Sequence, residues 1–206
     1  RRYAGRRRYG GDPGAGDVTQ ASFIRSLLAS YVKRWEGPRI SIGGLFGGEL
    51  QGSREVLQWS RLQQGAFLIV VWQEVRKAAT ESQANWAQNL RTIEEATDAP
   101  FSGRHTLLAA DQGVRAVLQV PNDLCYLSAH DLKLTDWAMV DTEADLTETR
   151  VRHVIDSVPP HMREFLGRVS RDIAGFDWRA SSTPGLDSDL RLKQAAFRGS
   201  GGYRDL

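Results

Sequence analysis

His153, Asp156 and His161 come closest, among the residues of this 206-residue chain, to a set that could do chemistry. His153 and Asp156 are three positions apart in a predicted helix and therefore share one face of it. An imidazole and a carboxylate on one face, with a second imidazole after the Pro159-Pro160 corner, can hold a metal ion or act as a general base. Ordinary polarity of a surface helix explains the same spacing, and the four histidines form no HxxxH or HExxH motif. The sequence therefore predicts no catalytic residue, no metal site and no cofactor.

Two other features resemble chemical motifs only in outline. The stretch GGLFGG, residues 43–48, has neither the GxGxxG spacing nor the lysine and hydroxyl of a phosphate-binding loop. We interpret it as a flexible connector. Cys125 is the single cysteine, so no internal disulfide can form, and its apolar neighbours predict a small core residue instead of a nucleophile. These observations favour a protein that is not an enzyme.

The N-terminal stretch RRYAGRRRYGG, residues 1–11, has a composition that can bind a polyanion. It places five arginines in its first eight positions, adds two tyrosines and contains no acid. Arginine makes bidentate contacts to phosphate, and tyrosine rings stack on unpaired bases. We therefore expect nucleic acid as a partner of this arm. The residues assigned to nucleic-acid binding are Arg1, Arg2, Tyr3, Arg6, Arg7, Arg8 and Tyr9.

The charge of the chain is unevenly distributed along it. The formal net charge is +2 and residues 1–11 carry +5, so the other residues together carry −3. Arginine outnumbers lysine by 23 to four, and a GC-rich genome explains that excess as well as nucleic-acid binding does. A GC-rich genome does not explain why five arginines are clustered within residues 1–8. The arm is therefore the part of the sequence that indicates a function.

The elements that must position these residues are mostly helices. Asp17 and Gln20 form a predicted capping box, followed by an apolar face through Ile24, Leu27, Leu28, Tyr31 and Trp35. A short strand is predicted at 39–42. A proline-free stretch from 53 to about 97 predicts helix, and we prefer helix to a buried strand for its segment GAFLIVVWQEV.

The period of the apolar residues changes after Pro100. Short runs broken by Asp111-Gln112-Gly113 and Pro121-Asn122-Asp123 predict a small β-meander at about 104–130. Helices are then predicted at about 142–158, at 160–175 and at 189–197. The predicted fold class is α+β and mostly α: a helical bundle with that meander and with extended N- and C-terminal tails.

Three regions follow from this division. Residues 1–16 form the basic Arg/Tyr/Gly arm, 17–175 a mainly helical body and 176–206 an extended C-terminal tail. Within the tail, Trp178 and Arg179 lie in loop sequence, and both residue types are enriched at the centres of protein interfaces. We therefore predict that Trp178 and Arg179 contact a neighbouring subunit.

The sequence favours a non-enzymatic structural subunit of a large assembly. An arginine-rich arm ahead of a packing body is the general design of viral coat and nucleocapsid proteins, and its partners would be nucleic acid and copies of itself or other subunits. The longest apolar run, residues 66–72, is too short to span a membrane, and no secretory signal is visible. This interpretation places the protein in a virion or an intracellular assembly, and not among secreted proteins.

Two alternatives remain open. The chain does not begin with Met, so its Arg-rich start also fits an accessory or ribosomal subunit of an organellar complex, located in the organelle matrix after removal of a targeting segment. A soluble enzyme with an incidental basic tail is the other. The sequence does not separate DNA from RNA, a viral from an organellar origin, or one assembly symmetry from another.

Overall fold

The computed structural model of the chain describes residues 18, 20–33, 35–36, 41–50, 54–137 and 147–196. Its α-helices within these residues are α1 (Gln20–Leu27), α2 (Arg61–Glu81), α3 (Asn85–Glu94), α4 (Ala99–Ser102), α5 (Asp111–Leu127), α6 (Glu148–Asp156), α7 (Pro160–Ala174) and α8 (Ser188–Ala196). A π-helical turn, Leu28–Val32, continues α1, and a 3-10 turn spans Leu134–Asp136. Strands β1 (Trp35–Glu36) and β2 (Ser41–Ile42) form one antiparallel pair. The predicted mostly helical character is confirmed.

The region predicted as one long helix contains two. The apolar stretch GAFLIVVWQEV lies inside α2, so the preference for helix over a buried strand is confirmed. Residues 54–60 are not helical, and α2 and α3 are separated because Ala84 has an extended backbone with ψ 146°. The Arg91 guanidinium closes this corner by donating to the carbonyl oxygens of Thr80 and Ser82 at 2.5 and 2.8 Å.

The predicted β-meander at about 104–130 is wrong, because 111–127 form helix α5. Both predicted turns, Asp111-Gln112-Gly113 and Pro121-Asn122-Asp123, lie within this helix. Pro121 has no N–H to donate to the preceding turn, but the helix continues past it. Buried residues recur along α5 at spacings of three and four, which is the helical period: Val114, Val117, Leu118, Asn122, Cys125 and Tyr126.

The apolar face predicted for the first helix is only partly buried. Tyr31 is fully buried, whereas Ile24 and Leu28 are each 43 % exposed. The π-helical turn changes the helical period after Leu27, and it buries Ser30 as well as Tyr31. Asp17 lies outside the described residues, and Trp35 belongs to β1 instead of the helix.

The C-terminal helices agree closely with prediction. The Thr147 side chain accepts the backbone N–H of Arg150 and caps α6. The predicted start of this helix, at about 142, lies outside the described residues. The apolar stripe of 162–173 lies in α7, which starts at Pro160, a residue favoured in the first turn. The short helix predicted at 189–197 is α8.

Residues 176–196 are folded, which differs from the extended tail predicted for 176–206. Trp178, Ala180, Thr183 and Leu186 are all buried. On α8, Gln194 is buried and donates from its Nε2 to a backbone carbonyl oxygen at 2.9 Å. Residues 197–206 lie outside the described residues.

The described residues divide into two compact units. Unit 1 takes those of 1–26, 75–117 and 170–206, and unit 2 takes those of 27–74 and 118–169. The body predicted as one domain over 17–175 is thus divided between them, and the segment 176–196 belongs to unit 1.

Unit 1 is organised by hydrogen bonds between residues distant in sequence. The backbone N–H of Leu107 donates to the carbonyl of Trp178 at 2.6 Å, and that of Ala180 donates to the carbonyl of His105 at 2.7 Å. The two carboxylate oxygens of Glu94 accept the backbone N–H groups of residues 104 and 105 at 3.0 and 2.9 Å. These bonds hold residues 103–107 between α3 and the segment after α7.

Unit 2 has a core of aromatic rings: Tyr31, Phe46, Trp59, Phe67 and Trp137. Tyr31 and Phe46 stack with centroids 4.8 Å apart, and Trp59 meets Trp137 edge-on at 4.9 Å. Such pairs add to the free energy gained from burial of the rings. The five rings therefore fix the centre of this unit.

The glycine-rich residues 43–48 pack against this core, which differs from the flexible connector predicted. A Cβ atom on Gly44 would overlap the backbone of Tyr31, and one on Gly47 would overlap the carbonyl of Val32. Asn122 fixes the same stretch, because its Oδ1 accepts the backbone N–H of Leu45 at 3.0 Å. Glycine is required at 44 and 47 because the backbones approach so closely.

Candidate functional site

The residues predicted to bind nucleic acid lie outside the described residues. These are Arg1, Arg2, Tyr3, Arg6, Arg7, Arg8 and Tyr9. Their role remains a prediction that depends on composition alone.

Trp178 and Arg179, predicted at a subunit interface, occupy well-defined positions in unit 1. Trp178 is only 3 % exposed, its Nε1 donates to the carbonyl of Ile173 at 2.7 Å, and its ring meets Phe176 edge-on. Arg179 pairs with Asp177 at 2.6 Å, and these hydrogen bonds raise the pKa of the guanidinium above its usual range. Trp178 thus has a core role within the chain itself, and the interface role of the pair stays a prediction.

His153, Asp156 and His161 do not form a common site. His153 is exposed on α6, whereas the His161 ring, at the start of α7, makes a 2.9 Å hydrogen bond to the carbonyl of Leu132. The described residues contain no group of three or more His, Cys, Asp or Glu side chains placed to hold a metal ion. Asp156 lines a cleft among the described residues.

That cleft, of about 710 Å³, opens in unit 2. Its lining residues are Ile69 and Gln73 from α2, Glu148, Val151, Arg152, Ile155 and Asp156 from α6, and Arg163 from α7. Val151 and Ile155 are four positions apart and so neighbour each other on α6, and Ile69 is 36 % exposed. The cleft therefore combines apolar surface with a row of charges along one helix.

Some of the charged side chains along the cleft have a partner within the chain, whereas one has none among the described residues. Arg152 forms an exposed ion pair with Glu148 at 2.8 Å, and such a pair contributes little to stability. Arg163 donates to the carbonyl oxygen of Ile155 near the C-terminal end of α6. Asp156 has no ion-pair or hydrogen-bond partner in the part of the chain that the structure describes. The cleft thus offers one carboxylate ready to accept a cation.

Unit 2 also contains two fully buried ionisable side chains, Tyr31 and Cys125, and one that is partly buried, Asp123. The Tyr31 hydroxyl has no hydrogen-bond partner among the described residues, and burial raises its pKa well above the usual range. Burial also raises the pKa of Asp123, although hydrogen bonds from Asn122 and Gln119 oppose that shift. Burial raises the pKa of Cys125 to about 12, so its thiol is protonated at neutral pH. The prediction that Cys125 is a small core residue is confirmed.

The sequence predicts a candidate role for Asp156 but for none of the other residues that line the cleft. Glu148, Arg152 and Asp156 have the i, i+4, i+8 spacing of one helix face, which is a local signal. Ile69 and Gln73 precede them by 75 to 87 positions, and no local pattern connects them with α6. The missing information is that α2 and α6 line the same cleft.

Comparisons with protein-family models, with curated proteins and with solved structures give no match. No helix among the described residues is both long and apolar enough to cross a lipid bilayer.

Proposed function

We propose that the protein is a non-enzymatic structural subunit of a large assembly, in which the N-terminal arm binds nucleic acid while the body packs against neighbouring subunits. The observation that carries this proposal is the composition of residues 1–11: five arginines within eight positions, two tyrosines and no acid. That composition is segregated from a remainder with a net charge of −3.

The arm has the chemistry that binding to a phosphate backbone requires. Each arginine can neutralise a phosphate and release a condensed counterion, while Tyr3 and Tyr9 provide flat rings for unpaired bases. Sixteen extended residues reach about 50 Å, so all five arginines can contact one strand while the body stays clear of it. Glycines allow the segment to follow an irregular backbone.

Apolar surface on the helices supports the packing role of the body. Val120, Leu124 and Leu127 are 37–40 % exposed and lie on one face of α5 at i, i+4 and i+7. An apolar row of this kind on a helix is typical of surfaces that contact other proteins. The partners that we propose are copies of the same chain or other subunits.

The alternative, an accessory or ribosomal subunit of an organellar complex, shares the arm and its chemistry. The two proposals differ in the particle that contains the protein. A coat-like subunit belongs to particles built from many copies of one chain, whereas a ribosomal or accessory subunit belongs to particles of mixed composition.

The absorbance ratio at 260 and 280 nm of the native purified particle tests the proposal. Six tryptophans and five tyrosines make an assembly of this protein alone absorb mainly at 280 nm. A 260-dominated spectrum from uniform particles of a single chain supports the proposed function, and one from particles of mixed composition supports the alternative. A 280-dominated spectrum contradicts both.

A further inference from the structure

We propose that Leu192 on α8 of one copy inserts into the cleft of unit 2 on a second copy, so that the chain assembles head to tail. This inference rests on the proposed function as an assembly subunit and names the contact through which copies join. In this contact, the cleft of one copy is occupied by α8 of another copy, and the exposed Leu192 side chain becomes buried.

Leu192 is unusual among the large apolar side chains of the described residues. It is 71 % exposed, whereas the other exposed ones are between 36 % and 43 %. The opposite side of α8 is fixed to unit 1, because Gln194 is buried and donates to the carbonyl of Asp177 at 2.9 Å. The structure therefore presents Leu192 outward from an anchored helix, as an interface anchor would be presented.

The cleft offers the matching surface. Ile69, Val151 and Ile155 supply apolar contacts, and a volume of about 710 Å³ is large enough for a leucine and its neighbours on a helical turn. Burial of Leu192 there would remove apolar area from water on both copies, which favours association.

The charges beside Leu192 complement those of the cleft. Asp189 and Lys193 are exposed on α8 and lie four positions apart, which separates them by about 6 Å along the helix axis. Arg152 and Asp156 have the same separation on α6, with the opposite order of charge. Lys193 can then meet Asp156, the carboxylate that lacks a partner in the described residues, and Asp189 can meet Arg152.

A contact between two different surfaces of the same chain is heterologous. Copies joined in this way add at either end and give a ring or an open polymer, depending on whether the rotation between neighbours closes. The expected behaviour is growth beyond the dimer as protein concentration rises.

The first test is sedimentation of the full chain, free of nucleic acid, over a range of concentrations. Leu192→Asp should weaken self-association about thirtyfold or more, the loss expected of an interface anchor. Leu28→Asp, which places the same charge on a 43 % exposed leucine of the π-helical turn, is the matched control and should leave this association within about threefold of the parent. Thermal melting of both variants checks that they fold.

The second test is a reversal of the predicted ion pair. Asp156→Lys and Lys193→Asp should each weaken association about tenfold, and the double variant should recover most of that loss because the pair is restored with opposite polarity. A parent chain that stays monomeric, or a double variant as weak as the sum of the single ones, overturns the proposal. So does a Leu192→Asp variant that melts several degrees below the parent at a concentration where both are monomeric, because Leu192 would then be covered by its own chain.

Variants of the N-terminal arm distinguish a failure of the head-to-tail contact from a failure of the proposed nucleic-acid binding. Changing Arg6, Arg7 and Arg8 to Ala should leave self-association without nucleic acid unchanged, even though it weakens binding to nucleic acid. If the arm does not bind nucleic acid but Leu192→Asp still disrupts association, the proposed function fails and the head-to-tail contact stands.

Discussion

The side chain of Trp178 contributes to unit 1 through both its ring and its indole N–H. The ring is almost wholly buried against Phe176, and the N–H donates to the carbonyl of Ile173. Removing a buried indole leaves a cavity that the surrounding core only partly fills. The residue is therefore part of the fold of the chain, whatever contacts it makes in an assembly.

We expect Trp178→Ala to lower the free energy of unfolding by about 3–5 kcal/mol. Trp178→Phe keeps most of the ring volume and should cost less, although it leaves the Ile173 carbonyl without this donor. Urea denaturation followed by circular dichroism measures both. An alanine variant with the parent's stability and impaired assembly would contradict the core role and favour the predicted interface.

The raised pKa of Asp123 makes the stability of the fold depend on pH. Its folded-state pKa is raised, mainly by burial, so the folded chain binds a proton more tightly than the unfolded chain does. Between the ordinary value of 3.8 and the raised one, this residue makes the fold more stable as pH falls. Above the raised pKa, the burial of its ionised carboxylate opposes folding.

Asp123→Asn should therefore stabilise the fold at pH 7, with a gain that disappears as pH falls to 3.8. The amide oxygen can still accept the hydrogen bonds that Gln119 and Asn122 donate at 2.6 and 3.0 Å. Urea denaturation of parent and variant across this pH range measures the difference. A variant less stable than the parent at pH 7 would show that the carboxylate's hydrogen bonds outweigh its burial.

At the scale of elements, the stretch 43–48 acts as a packed turn because two of its glycines touch backbone. Gly44→Ala and Gly47→Ala should each destabilise the fold, by about 1–3 kcal/mol, because the new methyl group meets the backbone of Tyr31 or Val32. Gly48→Ala is the matched control, since nothing lies within 4 Å of its Cβ position. Thermal melting ranks the three, and equal melting temperatures would contradict the packed turn.

The helices that could be predicted from the sequence are those whose signals are local. The apolar stripe of α7 begins after Pro160 and ends before Gly175. Both the buried face and the two ends of this helix can therefore be predicted from the local sequence. Helix α5 is not predicted from the sequence, because Pro121-Asn122-Asp123 has the composition of a turn. The helical spacing of its buried residues was the better signal, since burial of a helix face outweighs local propensity.

At the scale of the whole molecule, the parts that could not be predicted depend on contacts distant in sequence. The segment 176–196 is predicted as a tail because most of its residues are polar. In the structure, however, backbone hydrogen bonds join residues 178–180 to residues 105–107, which lie more than 70 positions earlier in the chain. The cleft likewise combines α2 with α6, whereas sequence spacing links only residues of α6. The chemistry predicted for the N-terminal arm, in contrast, depends on its local composition alone.

The most direct test of nucleic-acid binding by the arm is the salt dependence of the full chain's affinity. Five phosphate contacts predict a slope of log K against log salt of about −3.5 on single strands and about −4.5 on duplex. Changing Arg6, Arg7 and Arg8 to Ala leaves two contacts, so the single-strand slope should fall to about −1.4. Tyr3→Ala and Tyr9→Ala should weaken single-strand binding by about 1 kcal/mol or more each with the slope nearly unchanged, because stacking releases no counterions.

The matched control for that measurement changes Arg61, Arg76 and Arg171 to Ala. These three arginines are exposed on the described helices, so the control removes the same charge from the folded body. We expect this control to keep the parent's slope and the Arg6, Arg7 and Arg8 variant to lose more than half of it. An arm variant that binds with the parent's slope would contradict the claim that the arm is the nucleic-acid-binding element.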